Sequence, residues 1–229
     1  VCRTIYLAFT AGYTPGAGPD LLRADLAGDA VELAAVLRHL LPEAPQVVAL
    51  HALLLLQHSR RHARVDDGRL VTLADQDRSL WRRDEIGFGL ALVGALTPGA
   101  GYAEELRLQA LIAAGHARAH RAADTDWPAI AVQYSSLEAI TGSTVVRLNR
   151  AVAVAEADGP RAGLALLDGL DQHLPGNHRL HAVRAELATR CGDTTLALAA
   201  YEQAITLCDN DVERAHLESR RRTLAPGRA

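Results

Sequence analysis

Hydrophobic positions recur at helical spacing over most of the 229 residues. A first helix is predicted over residues 2–11, ending at Gly12, and "TPGAGPD" reads as a loop with Asp20 placed to cap the next helix. The positions Leu22, Leu26, Ala30, Leu33, Leu37 and Leu40 then follow the three-to-four-residue rhythm of one helix face, and Pro42 ends it. Pro45 opens "QVVALHALLLLQHSRRHA", apolar on nearly every side through Leu56, which predicts a helix enclosed by others. A fourth helix is expected from about Arg78 to Leu96. Beyond it the grammar changes to helices alternating with short turns, at 102–122, 127–140, 144–157, 160–173, 177–191, 194–207 and 210–224.

One stretch breaks this pattern. In "ARVDDGRLVTLADQDRSLW", Leu70, Val71 and Leu73 follow an Asp-Asp-Gly turn, so a short hairpin-like extended element is expected near 65–75. Asp75 or Asp77 is placed to cap the helix that carries Trp81. Arg78, Arg82 and Arg83 stand close to Asp84 and Glu85 for local pairing. The same stretch could instead present Asp75, Asp77, Arg78 and Trp81 as an exposed edge for a partner, since loops on a rigid scaffold often carry function.

The second half also repeats. "GDTTLALAAYEQAI" places Ala197, Tyr201 and Ala204 at the spacing of the second helix of a tetratricopeptide (TPR) repeat. A step of 35 residues back reaches Ala162, Leu166 and Gly169, and a further step reaches Ile130, Tyr134 and Leu137. Small residues let paired helices approach, and one bulky residue fills the space between them. In such an array the first helices form a concave face, where Arg147, Arg179, Glu186 and Arg190 are expected to point. Asn149 and Arg150 fall where small packing residues are usual, which predicts a buried or half-buried hydrogen-bond network around the arginine.

Composition narrows the possibilities. Apolar residues make up 49% and charged residues 22%, as in a folded globular protein. The formal charge of −3 gives no electrostatic reason to expect nucleic-acid binding by this chain. The longest apolar run, Val47–Leu56, is too short to span a bilayer, so no membrane contact and a cytoplasmic location are expected. There is no Met, and "RTIYLAF" reads as the middle of a helix, so the chain is expected to be a fragment with something upstream of Val1.

No catalytic, cofactor or metal residue stands out. Cys2, Cys191 and Cys208 have neither metal-ligand spacing nor an even-numbered disulfide framework, and read as reduced thiols. His58 and His62, like His116 and His120, lie four apart without the glutamate of a metalloprotease helix, and read as exposed helical histidines. His178 and His181 read the same way. No nucleophile elbow and no phosphate-binding glycine loop is present, so nothing supports an enzyme.

Four segments in order carry a resemblance: "FTAGYTPGAGPDLLRADLAGDAVELAAVL", "DGRLVTLADQDRSLW", "LQALIAAGHARA" and "VVRLNRAVAVAEADGPRAGLALLD". Together they resemble the C-terminal, TPR-like extension of one group of bacterial extracytoplasmic-function (ECF) sigma factors. Two places depart from that pattern. Thr10 and Ala11 stand where the family has Asn-Glu, and "GYAEELRLQALIAA" is looser than the family's version.

The resemblance implies a non-enzymatic regulatory extension that modulates promoter-dependent transcription initiation. Its partners would be the sigma-2 and sigma-4 domains of the same full-length chain or core RNA polymerase, with promoter DNA reached only through those absent N-terminal domains. The alternative is a stand-alone TPR-like scaffold that binds a peptide on the concave face. The expected architecture is all-α, with a helical subdomain over 1–96 packed on a TPR-like array over 97–229. Replacing Asp77, Arg78 and Trp81 together is expected to leave the fold intact.

Overall fold

The computed structural model describes residues 1–13, 24–66 and 69–224. The predicted "TPGAGPD" loop, the Asp20 cap and Leu22 lie outside the described residues, as do Asp67 and Gly68 of the predicted Asp-Asp-Gly turn. The described chain is all-α apart from one small hairpin, and none of its helices is long and apolar enough to cross a membrane. It divides into two compact units, Val1–Asp126 and Trp127–Ala229.

In the first unit the helices are α1 (Cys2–Tyr13), α2 (Ala24–Leu40), α3 (Pro45–His58), α4 (Arg83–Gly94) and α5 (Gly101–Arg118). The enclosed-helix prediction holds for α3, whose residues Leu50, Leu53 and Leu54 have no exposed surface. Helices α1, α2, α4 and α5 all pack on it. Burying each of these leucines contributes roughly 1.5–3 kcal/mol, which makes α3 the axis of the unit. Trp81 and Ile86 join the same core, as do Leu106, Ala110 and Ala114 of α5. The sequence change at residue 97 therefore does not coincide with the division of the structure. Helix α5 belongs with α3 and α4, and the units part between Asp126 and Trp127.

The extended element is a two-residue antiparallel pair, β1 (Val65–Asp66) and β2 (Arg69–Leu70), with Val65 opposite Leu70. The Val71 amide prolongs it by donating to the Arg64 carbonyl at 2.9 Å. It is shorter than the expected 65–75, because Thr72 to Gln76 close a turn in which the Asp75 and Gln76 amides both donate to the Thr72 carbonyl.

The second unit contains α6 (Trp127–Thr141), α7 (Thr144–Asp158), α8 (Pro160–Leu166), α9 (His178–Cys191), α10 (Thr194–Leu207) and α11 (Asp211–Leu224). Each packs chiefly on its neighbour in the chain, and α7 also touches α9, as in stacked helical hairpins. Side chains of Ser143, Asn177, Asp193 and Asn210 cap the starts of α7, α9, α10 and α11. The expected helix over 160–173 breaks after Leu166 because Gly169 takes a left-handed conformation, φ 77°, that a residue with a Cβ rarely adopts.

The packing corrects the repeat register by one residue. Gly163, Leu167 and Leu170 are buried, whereas the expected Ala162, Leu166 and Gly169 are half-buried or exposed. Gly163 stands 34 positions before Ala197, Leu167 before Tyr201 and Leu170 before Ala204, so the period is 34 and not 35. A Cβ at Gly163 would lie 2.4 Å from the Ala151 carbonyl oxygen and 2.6 Å from the Ala155 Cβ. This is where α8 and α7 come closest, and only glycine leaves room.

Candidate protein-interaction site

The structure splits the candidate edge "DQDRSLW" in two. Asp75 and Asp77 are exposed, Asp75 accepting from the Thr72 hydroxyl at 2.6 Å. Asp77 caps a single 3-10 turn, Arg78–Leu80, by accepting from the Ser79 amide at 2.8 Å, and hydrogen bonding from the Ser79 side chain, with that amide, holds its carboxyl below the usual range. Arg78 and Trp81 are structural, only 6% and 3% exposed. The Arg78 guanidinium donates through Nη1 to the carbonyls of His116 and Ala119, at 2.7 and 2.9 Å, and lies over the Trp81 ring at 4.6 Å. It thereby closes the C-terminal end of α5, where carbonyls lack intrahelical donors. The expectation that Asp77, Arg78 and Trp81 can be replaced together without loss of fold is corrected: two of the three hold the unit closed. Of the expected local pairs, Arg82–Asp84 forms at 3.0 Å, but Glu85 turns to Arg61 at 2.8 Å.

The histidines are also less exposed than the sequence suggested. His62 and His120 face solvent, but His58 and His181 are buried and His116 is half-buried. His58 Nδ1 meets the Tyr13 hydroxyl at 2.6 Å. The Tyr13 ring stacks edge-on against Phe9 and lies under Arg64. Phe9 and Tyr13 of the motif "FTAGY" thus pack edge-on against His58. Burial, with Arg61 and His62 nearby, holds His58 down to about 4. Thr10 is half-buried and Ala11 exposed, so the positions that depart from the family pattern lie toward the surface.

One surface was missed by periodicity alone. Helix α2 turns Ala27, Ala30 and Ala34 inward and leaves Leu33, Val36 and Leu40 at 54%, 57% and 67% exposure, a stripe along one face. On α1, which packs against α2, Leu7 is 66% exposed and Ala11 follows one turn later. The spacing of Leu26, Ala30, Leu33, Leu37 and Leu40 did mark an apolar face, but alanines allow the close approach, Leu26 and Leu37 are half-buried, and Leu33 and Leu40 remain outside. A row of large exposed apolar groups at helical spacing is the usual mark of a contact surface.

In the second unit the face shared by the first helices of the hairpins follows the 34-residue period. On α7 it carries Val145, Asn149, Val152 and Glu156, and on α9 Arg179, Val183, Glu186 and Arg190. The matching positions of α11 are Glu213, Leu217, Arg220 and Leu224. Arg190 pairs with Glu156 and Arg220 with Glu186, each across 34 residues, and Arg179 reaches Glu213 at 3.7 Å. The Tyr201 hydroxyl donates to Glu186 at 3.3 Å. Arg179, Glu186 and Arg190 therefore share a face as expected, but they are committed to one another's helices as a ladder of ion pairs. Sequence reasoning had the residues and missed the pairing, because the step of 35 hid that the partners stand one repeat apart.

Arg147, Asn149 and Arg150 also lie elsewhere than expected. Arg147 leaves this face and closes the end of α8, donating to the Leu166 carbonyl at 2.9 Å and that of Asp168 at 3.4 Å. Asn149 is exposed on the face, and the small packing positions are Ala151 and Ala155. The network expected around Arg150 reduces to one half-buried ion pair with Glu138 of α6 at 2.9 Å, with the Nε hydrogen left unbonded.

Comparison with known proteins places residues 1–97 in similarity to a family of unknown function, DUF6596. The chain is also 42% identical, over 222 residues and 95% of its length, to an uncharacterized protein of Rhizobium meliloti (strain 1021). It spans about half, 51%, of the length of that curated relative. No solved structure matches it.

Proposed function

We propose that this chain is a regulatory protein-docking region of an ECF sigma factor, acting on transcription initiation through contacts with the sigma-2 and sigma-4 domains or with core RNA polymerase. The reading joins the resemblance of four ordered segments to a relative twice as long, in which a region of this kind accompanies an equal length of other chain. The observation that carries the docking part is the 34-residue period, present in packing residues and in cross-repeat ion pairs. Repeats stacked in this way make a rigid body whose outer faces are free for a partner.

Two surfaces fit the role. The apolar stripe of Leu33, Val36 and Leu40, with Leu7, supplies area to bury, and Asp75 and Asp77 supply negative charge on the segment that follows the hairpin in the same unit. Obligate and intrachain interfaces bury such apolar rows, while charges at the rim set orientation. The ladder face is weaker as an anchor, because its charges already have partners.

The reading frame that adjoins Val1 is the first test: sigma-2 and sigma-4 sequences are expected there, and an unrelated domain would refute the sigma assignment. The second is transcription in vitro by the full-length factor with and without this region. A changed output at equal protein level is expected, and an identical output would remove the regulatory role. A peptide-binding scaffold is the second reading, favoured by the exposed Val145 and Asn149 on the ladder face. It predicts micromolar capture of a linear peptide by the isolated chain and no effect on transcription.

A further inference from the structure

Three potential metal ligands, His178 and, thirty and more residues later, Cys208 and Glu213, converge in the second unit. His178 opens α9, Cys208 follows the end of α10, and Glu213 lies in the first turn of α11. One ligand atom from each, an imidazole nitrogen of His178, Sγ of Cys208 and a carboxylate oxygen of Glu213, lies within 4.8 Å of the other two. His178 Nε2 and Glu213 Oε2 are already 2.9 Å apart. Spacing concealed the group, because neither the cysteines nor the histidines pair among themselves.

The backbone holds all three in place. The Asn177 side chain accepts from the amides of Arg179 and Leu180, fixing the turn that carries His178. Asn210 does the same for Val212 and Glu213. The carbonyl of Cys208 accepts from Arg214 at 2.9 Å, and its thiol, 2% exposed, points to the Asn210 carbonyl at 3.4 Å. Arg179 approaches the other carboxylate oxygen of Glu213, Oε1, at 3.7 Å, which leaves Oε2 turned toward His178.

We infer that His178, Cys208 and Glu213 form a binding site for a borderline-soft divalent cation of the zinc class, with a fourth position left for water or a partner's ligand. The donor set is one imidazole, one thiolate and one carboxylate, the types that zinc takes in tetrahedral sites. With bond lengths of about 2.0–2.3 Å, tetrahedral ligands stand about 3.3–3.6 Å from one another, so closure from the present spacing asks for a movement of ~1 Å by side chains. Binding releases the Cys208 thiol proton. The thiolate and carboxylate then balance the dication. The bound cation would tie α11, the last described helix, to the start of α9 and the end of α10.

The test is titration of the metal-free full chain with Co²⁺ and then Zn²⁺, followed by optical absorption and thermal unfolding. The expected result is a single equivalent of Co²⁺ bound, with a thiolate-to-cobalt charge-transfer band and the intense visible bands of a tetrahedral ion, displaced by Zn²⁺. Thermal unfolding should shift upward with either metal. Cys208→Ser should lose the charge-transfer band while Cys2→Ser and Cys191→Ser keep it. His178→Gln and Glu213→Gln, whose side chains are partly exposed and disturb the fold least, should weaken Zn²⁺ binding by at least the ~10–100-fold that loss of a ligand's supporting partner costs. Absence of the band in the unsubstituted chain, its survival in Cys208→Ser, or unchanged affinity in both His178→Gln and Glu213→Gln would overturn the assignment.

Discussion

Arg78 separates the two readings of "DQDRSLW" most sharply, and its replacement by Met is the perturbation of choice. Met keeps the apolar stem and removes the guanidinium. Two carbonyls at the end of α5, those of His116 and Ala119, then lose donors at 2.7 and 2.9 Å. Hydrogen bonds to a charged group contribute about 1.5–3 kcal/mol each, and the contact over Trp81 adds roughly 0.5–1 kcal/mol. Offsetting this, Met spares the folded state the desolvation of a buried cation, a cost visible in the lowered pKa of Arg78. The net loss is about 2–5 kcal/mol, a fall in Tm on the order of 10 °C for a chain of this size. Urea unfolding followed by Trp81 fluorescence in a Trp127→Phe background measures it. Asp77→Ala, which removes one exposed cap, should cost much less than Arg78→Met in the same unfolding measurement. If Arg78→Met instead changed stability by less than about 0.5 kcal/mol, the value usual for an open surface position, the guanidinium would not be what closes α5.

Other consequences follow from the same geometry. Gly163→Ala should destabilise the second unit by roughly 1–3 kcal/mol through overpacking against Ala151 and Ala155, although alanine is the better helix former by about 1 kcal/mol; chemical denaturation would show it. A double-mutant cycle on Glu186 and Arg220 should give a coupling of about 0.5–1 kcal/mol that shrinks with added salt, as for partly exposed ion pairs. Burial holds His51, His58 and His116 neutral, each lowered from 6.5 to about 4, with Arg38 beside His51, Arg61 and His62 beside His58, and Arg60 and Arg78 beside His116. The unfolded chain therefore takes up protons first, and stability present above pH 6.5 should be lost progressively as pH falls toward 4. NMR titration checks this directly: imidazole signals from these three rings that titrate near 6.5 in the folded protein would contradict it.

The overall class was legible because the cues were redundant. Pro45, Pro160 and the caps Ser143, Asn177 and Asp193 mark helix starts that agree with the apolar rhythm, so most helix limits fall within a residue or two of prediction. What escaped was any property set by alanine. On α2 the large residues dominate the apolar pattern, yet it is Ala27, Ala30 and Ala34 that pack, because closeness of approach favours small side chains. The same effect blurred the repeat. With alanines at so many positions, steps of 34 and 35 residues look alike until Gly163 shows where the helices touch. Arg78 was misjudged for another reason: its acceptors lie about forty residues ahead, on a helix end that local sequence does not reveal. The convergence of His178 with Cys208 and Glu213 is likewise a product of stacking, since it joins the start of α9 to the turn between α10 and α11.

The most direct measurement of the docking account is calorimetric binding of this chain to the sigma-2 and sigma-4 domains and, separately, to core RNA polymerase. It compares the native sequence with a Leu33→Ser, Val36→Ser, Leu40→Ser variant shown by circular dichroism to be folded. The account predicts saturable binding to one of these partners by the native chain and its loss in the variant, with little change in stability because the three side chains are already exposed. Binding that is absent for both partners, or equally strong in the variant, would contradict it.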